Sequence, residues 1–508
     1  MMQDRFLPLA LIIAGCSWIT LGLPSSPASL AATCLDGEAC DAGSGLGLLQ
    51  KLASPSTAGQ TAKLSRADAP LGTRAAEARK GALDISLTPC TPEDFASKDL
   101  DLIVYGATGY TGKLAAAYLA KGHPRHPRWA IAGRHEEELN ELRETISSGP
   151  ADRPTVLVAD LQDENALRAM TSRAKVVLTF AGPYRKYGGE NLISAAIATC
   201  THYADITGEG PWKAEMLEKH GESAKARGVA IVQAVGLDSM PADILATRSA
   251  EMLASDGFGP PTDITVMWSK FNGLMSGGTK AAGEDSMLFG ASIPDKAHTF
   301  ALAPETPEEA RLDSVPGGVP AHLEGPSLMG YDANFSQFTV PYFMGFLDGP
   351  TVRRSLALTF PGAPIHFSEV MGQSVMTEMA KFFTDPMMLL DPPNLDPAPG
   401  EGPPQWVLDK GGLAGQGLAV RGAPHAAEAR LHLECHGDPG YAATSKWSVE
   451  FAVQLALEGP KDGAGGYLTP TLALGAETLV QLLSEANSGN LCSFWEGSAQ
   501  KPEGQEGA

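Results

Sequence analysis

Between Asp99 and about residue 254 the chain alternates short apolar runs with stretches of helical period, six times over. The runs are LIVYG, WAIAGR, TVLVAD, KVVLTFAG, HYADITG and VAIVQAVG, and the segments after them include TGKLAAAYLAKG, EEELNELRETI, ENALRAM and PADILATRSAEML. Strand-like runs separated by helices imply βαβ units and a parallel sheet, here a doubly wound α/β domain over 99–254. Past residue 255 the alternation stops. DITVMWSKFNG and EARLHLECHGD read as strands, LALTFPGAPIHFSEV as a strand pair, and ATSKWSVEFAVQLAL and ALGAETLVQLLSEA as helices. An α+β domain over 255–485 is expected to hold substrate and a homodimer contact, with a frayed tail over 486–508.

The first strand runs into GATGYTG, with Gly106, Gly109 and Gly112 three residues apart and Thr108, Tyr110 and Thr111 between them. A glycine ending the strand allows a tight turn, a second lets backbone approach a pyrophosphate, and a third lets the helix sit close to the sheet. The helix N-terminus then offers free N–H groups to phosphate. The spacing is GxxGxxG rather than GxGxxG, so the strand before it and the helix after it carry the assignment to a dinucleotide. The second strand ends in Arg134, where a carboxylate would hold the ribose hydroxyls of NAD. A guanidinium there pairs with a 2′-phosphate and favours NADP. The alternative is a surface arginine, with Glu136 taking the ribose. Asp160 closes the third strand, near the expected adenine, and Ala181, Gly182 and Pro183 close the fourth, along the expected nicotinamide path.

YGATGYTGKL, AIAGR, FAGPYRKYGGENLISAAIATCTHYADITGE and GLDSMPADIL closely resemble the saccharopine dehydrogenase-like oxidoreductases. That family includes the mycobacterial trans-acting enoyl reductases and an animal member associated with lipid droplets. SGGT at 276–279, LDGPTVRRSLAL, GEGPP at 400–404, GDPGYAAT and GGYLTPTLALG continue the likeness in order to about residue 482, although KAAGEDS after SGGT departs from the pattern. The resemblance implies an N-terminal Rossmann NADP-binding domain and a following α+β domain. It also implies reduction of a lipid-linked or other carbonyl-conjugated substrate. Two alternatives are a nucleotide-binding protein at a membrane or lipid-droplet surface that has no turnover, and a dehydrogenase of an amino-acid conjugate. The last needs converging cations, for which only Arg353 and Arg354 stand adjacent, equally readable as a structural pair.

Nicotinamide chemistry asks the protein for alignment and for stabilisation of developing negative charge. Tyr184, Lys186 and Tyr187, just past the fourth strand, are the candidate donors, with loop packing as the alternative. Asp205, Thr207 and Glu209 either shape the site or cap the helix near Pro211. No tyrosine has a lysine four residues on, which disfavours the short-chain dehydrogenase mechanism, and the absence of GxSxG disfavours a serine hydrolase.

A net charge of −21 argues against nucleic acid as a partner. Residues 6–23 form an uncharged apolar run after Arg5, with ASLAA at 28–32 offering small residues for cleavage. Residues 1–32 are expected to be a signal peptide or membrane anchor, and 33–98 a transit-like or disordered linker. Entry to the secretory system is expected, with plastid delivery as the alternative. The seven cysteines contain no CxxC, so no zinc site is expected. Four lie before residue 91, which argues against a disulfide framework in the folded part, with a Cys34–Cys40 pair as an option.

Overall fold

A computed structural model describes residues 88–147, 149, 153–292, 300–304, 329–422, 427–485 and 491–497. The apolar run at 6–23, the cleavage motif, Cys34 and Cys40, the expected linker up to residue 87 and residues 498–508 of the expected tail lie outside the described residues. The expectation of a frayed tail from 486 is corrected where Cys492–Gly497 forms a strand paired with Ala427–His436.

The six expected strands form β1 (Leu100–Tyr105), β2 (Trp129–Gly133), β3 (Thr155–Val158), β4 (Ala174–Thr179), β5 (His202–Asp205) and β6 (Ala230–Val232). They pair in parallel in the order 3-2-1-4-5-6, the doubly wound arrangement. β1 shows why its sequence is apolar throughout. Leu102 and Val104 enter one core and Ile103 and Tyr105 the other, so both faces of the sheet are covered. One face carries the helices Tyr110–Ala120 and Thr444–Glu458, and the other carries Glu164–Thr171, Gly189–Ala198 and Gly210–Arg227.

The sheet does not end at β6. A seventh strand, β13 (Gly466–Leu468), lies parallel against β6, and the Thr444–Glu458 helix packs on β1, β4 and β5. The chain therefore leaves the first sheet after β6 and returns to it about 230 residues later. Three residues within GGYLTP are too few for an alternation signal, so the sequence leaves this return invisible.

The second sheet has the order 14-12-11-7-10-9-8, built from β7 (Asp263–Asn272), β8 (Gly330–Asp332), β9 (Gln337–Pro341), β10 (His366–Gly372), β11 (Gly412–Arg421), β12 (Ala427–His436) and β14 (Cys492–Gly497). It is antiparallel except where β10 runs parallel to β7. The helix Met240–Leu253 packs on β11 and β12, and on the helix Gly345–Thr359. The expected strand pair in LALTFPGAPIHFSEV is corrected here. LALT is the last turn of that helix, and only the second half becomes strand. Its arginines hold the helix in place: Arg353 donates to Phe367 O, and Arg354 to Leu302 O and Tyr467 O.

Two expectations differ at the start and in the cysteines. Ordered packing begins before Asp99: Thr91 and Asp94 form a capping box on the helix Pro92–Ala96. Lys98, 4 % exposed, donates to Thr171 O, Thr199 O and Thr201 Oγ1. Cys90 is bonded to Cys200, and Cys435 to Cys492. The partners lie 110 and 57 residues apart in sequence, so spacing cannot reveal them. Cys435 and Cys492 face each other across β12 and β14.

Candidate active site

The switch point of the first sheet lies between β1 and β4, and the glycine loop occupies it. Gly106 has φ +73°, in the left-handed region, and a Cβ there would stand 2.9 Å from Ala181 N. The loop after β1 and the loop after β4 therefore touch through a missing side chain. At Gly112 a Cβ would stand 2.2 Å from Gly106 O and 2.9 Å from Ala107 Cα, so only glycine lets the helix begin this close to the strand. Gly109 is the N-cap and has no side chain to satisfy the first turn. Lys113 N is the first amide bonded within the helix, to Gly109 O, so the amides of Tyr110, Thr111 and Gly112 before it are left for a ligand, with no acidic residue in that turn. Thr108 is half-buried in the same loop. This cradle fits a pyrophosphate.

Tyr110 does a different job. Its hydroxyl donates to Pro403 O, and its ring packs edge-on to Tyr441 at 5.2 Å. The Tyr441 hydroxyl in turn meets Thr279 Oγ1 at 2.7 Å and accepts from Ser276 N. Residues from SGGT, GEGPP and GDPGYAAT thus converge beside the glycine loop. The motifs are scattered over more than 300 residues, but they form one wall. KAAGEDS after SGGT continues the Gly277–Ser292 helix, from which Asp285 binds Arg185 in a two-pronged ion pair.

Arg134 follows β2 directly and is exposed, its Nε donating to His135 Nε2 at 3.0 Å. Asp160 follows β3, also exposed, and accepts from Gln162 N. Both lie close enough to Tyr105 to act on its hydroxyl electrostatically, which puts them on one edge of the sheet. Ala181 and Gly182 are half-buried after β4, and the Gly182–Pro183 bond is cis.

The candidate donors separate. Tyr184 is 5 % exposed, stacks on Trp212 at 5.5 Å, and donates to Thr179 O. Burial pushes its phenol well above the usual range, and its hydroxyl serves the fold. Lys186 and Tyr187 are exposed on the one-turn helix Tyr184–Tyr187. Glu209 accepts from the amides of Tyr184 and Arg185, so it caps that turn and not the helix after Pro211. Asp205, fully buried, accepts from Tyr203 Oη, Gln233 Nε2, Thr207 N and Ala234 N and braces the loops after β5 and β6.

Behind the crevice lies a group of buried charges that the sequence reading did not single out. Lys213, with no exposed surface, donates to Thr351 Oγ1 and Leu347 O. Asp348 and Glu369 face one another, and burial holds Asp348 well above the carboxylate range. Trp268 Nε1 donates to Glu369 at 2.7 Å, and burial raises that carboxyl to about 7. No periodic pattern marks these residues. They come from four separate segments; Asp348 lies in LDGPTVRRSLAL, and Asp238, which acts on Lys213 and Asp348 electrostatically, lies in GLDSMPADIL.

Residues 102–232 match the family model described as the saccharopine dehydrogenase NADP binding domain. A protein of Mycobacterium tuberculosis provisionally named a trans-acting enoyl reductase is 31% identical over 425 residues, covering 77% of this chain and 96% of its own length. A trans-acting enoyl reductase of Mycobacterium bovis is 29% identical, covering 76% of this chain and 96% of its own. Among solved structures, the apo saccharopine dehydrogenase (L-Glu forming) of Saccharomyces cerevisiae is 11% identical with a TM-score of 0.45, covering 78% of this chain and 99% of its own. The family model takes in the glycine loop, the Mycobacterium tuberculosis relative is matched over nearly its whole length, and the chain belongs to the saccharopine dehydrogenase-like family of NAD(P)-binding oxidoreductases.

Proposed function

We propose that the protein is an NADPH-dependent reductase of an enoyl or carbonyl group carried on a lipid-like conjugate. One observation carries the choice of cofactor: Arg134, not a carboxylate, ends β2 with its guanidinium exposed beside the glycine loop's edge of the sheet. The glycine loop and the amides of Tyr110, Thr111 and Gly112 hold the pyrophosphate, Arg134 the 2′-phosphate, and Asp160 flanks the adenosine side. Ala181, Gly182 and Pro183 line the path of the nicotinamide. When bound, the reduced nicotinamide supplies a hydride to the acceptor carbon. The wall around Tyr110 and Tyr441 keeps water from the crevice, and the cap on the 184–187 turn by Glu209 fixes the loop after β4.

The names of the mycobacterial relatives support the enoyl acceptor. An apolar substrate is supported by the large exposed hydrophobic side chains, most of which fall between Met275 and Leu395, among them Leu288, Met329, Leu389 and Leu390. Two cysteine pairs among the described residues support maturation in an oxidising compartment, in keeping with the leader-like run at 6–23. The cofactor reading predicts NADPH binding at least about tenfold tighter than NADH, a preference lost in Arg134→Ala. Equal affinities in the wild type would sink it. NADPH oxidation measured over enoyl thioesters, ketones and imino acids tests turnover. Tight NADPH binding with no oxidation of any of them would favour a binding protein without turnover.

A further inference from the structure

Asp238 follows β6 at the carboxyl edge of the first sheet, the edge that carries the glycine loop and the loop after β4. Asp205, Glu209, Asp243 and Glu369 each accept hydrogen bonds from named neighbours. Asp238 is half-buried and accepts none from the described residues. Its carboxylate lies against Gly208, where a Cβ would stand 2.9 Å from Oδ2, so the absence of a side chain in the loop after β5 makes room for it. The next residue, Ser239, has φ +134°, a conformation rare for a residue with a side chain. Strain of this kind persists where the surroundings over-determine it, commonly at reacting sites. A buried cation, Lys213, lies behind Asp238, with its ammonium donating to Thr351 and Leu347.

We infer that Asp238 is the catalytic acid of this protein, giving its proton to the substrate as the hydride arrives. The inference rests on the reductase reading above. For an enoyl thioester, the hydride brings two electrons to the β-carbon. The C=C π pair moves to the α-carbon and carbonyl oxygen, and the Asp238 proton forms the new C–H bond at the α-carbon. Asp238 is left as a carboxylate and takes a proton from water before the next turnover. One hydride and one proton saturate the double bond, and no other reductant enters.

The surroundings suit a group that must hold a proton near neutrality and release it. Burial raises the Asp238 carboxyl to about 6, and Lys213 pulls in the opposite direction. The other titratable groups acting on Asp238, or acted on by it, are Asp348 on the Gly345–Thr359 helix, Tyr342 before it and Tyr184 after β4. Burial raises all three, and Lys213, itself lowered by burial, is the group that acts on Asp238 in the opposite direction. A lone carboxyl with a buried ammonium behind it can ionise without being locked in an ion pair.

The test has two arms. In the first, infrared difference spectra of wild type minus Asp238→Asn are recorded from about pH 4 to about pH 9. The wild type is expected to show a carboxylic-acid band that disappears with a midpoint near 6, with or without NADP⁺ bound. No band titrating in that interval overturns the assignment without reference to turnover. In the second, NADPH oxidation is followed with trans-2-decenoyl-CoA, ketones and imino acids as probes. Asp238→Asn is expected to lower kcat by about 100-fold or more while the Kd for NADPH stays within about threefold. Asp238→Glu, which keeps an acid in place, recovers part of the rate and shifts the alkaline limb of the pH profile. An Asn variant that binds NADPH and turns over within about threefold of wild type refutes the role of Asp238 alone. A Glu variant that binds NADPH but is as slow as the Asn variant, with no shifted limb, also refutes it. A wild type inert on every probe refutes the reductase reading, and the catalytic role with it.

Discussion

The sharpest perturbation of the cradle is Gly112→Ala. The added Cβ would stand 2.2 Å from Gly106 O and 2.9 Å from Ala107 Cα, both backbone atoms that no rotamer change can move. An ordinary carbon–oxygen approach is about 3.3 Å, so the start of the 110–120 helix must retreat by roughly 1 Å. A hydrogen bond from one of its amides to a phosphate, normally about 2.9 Å, would lengthen to about 3.9 Å and cease to be one. Losing one such charge-assisted bond costs about 1.5–3 kcal/mol, which weakens NADPH binding about 10- to 100-fold. The same retreat opens the packing of Ala115, Ala116 and Leu119 on the sheet and destabilises the fold by about 1–3 kcal/mol. Fluorescence titration with NADPH and thermal melting read the two effects. Gly109→Ala is the control. Its Cβ would meet Gly106 O at 3.3 Å, a contact that a few tenths of an ångström relieve, so it melts near wild type. A Gly112→Ala protein that binds NADPH and melts like wild type would refute the close-approach argument and the cradle built on it.

The other predictions concern the rest of the fold. His202 is buried, accepts from Ala230 N through Nδ1 and stacks on Phe95, and burial lowers its imidazole to about 3. Its folded value lies below its unfolded value, so the folded state binds fewer protons; the stability it contributes is present above about 6.5 and is lost as pH falls toward 3. At about pH 5 the loss is about 2 kcal/mol, and His202→Gln should flatten that part of a denaturant-melt series; an unchanged acid slope would refute it. Peptide mapping without reductant should recover Cys90 joined to Cys200 and Cys435 joined to Cys492. Cys435→Ala should then cost about 2–4 kcal/mol in denaturant melts, whereas recovery of all four as free thiols would remove that expectation.

Parts of the site were legible in the residues themselves. The alternation over 99–254 names six strands and their parallel sense, because a strand covered on both faces leaves a continuous apolar run in sequence. The glycine spacing reports the turn, since a positive φ at Gly106 and the close approach at Gly112 restrict those positions to glycine. Arg134 is visible because it stands where the strand pattern stops. Tyr184 shows the limit of the same reasoning. Its position past β4 is right for a donor, but its ring turns inward onto Trp212, and direction is a property of packing.

The sequence by itself determined six strands of the first sheet, the glycine loop and the arginine that follows the second strand. Each of these is set by contacts within a few residues or by one repeating period. Only the tertiary structure decided that β13 closes the sheet and that cysteines 110 and 57 residues apart are joined. It also decided that Tyr441 and Tyr110 bring distant motifs to one wall and that Asp238 lies against Gly208 with no hydrogen bond from the described residues. These depend on which long-range surfaces bury one another. Local periodicity does not encode that choice, because a carboxylate that will lose its hydrogen-bond partners on folding looks the same in sequence as one that will keep them.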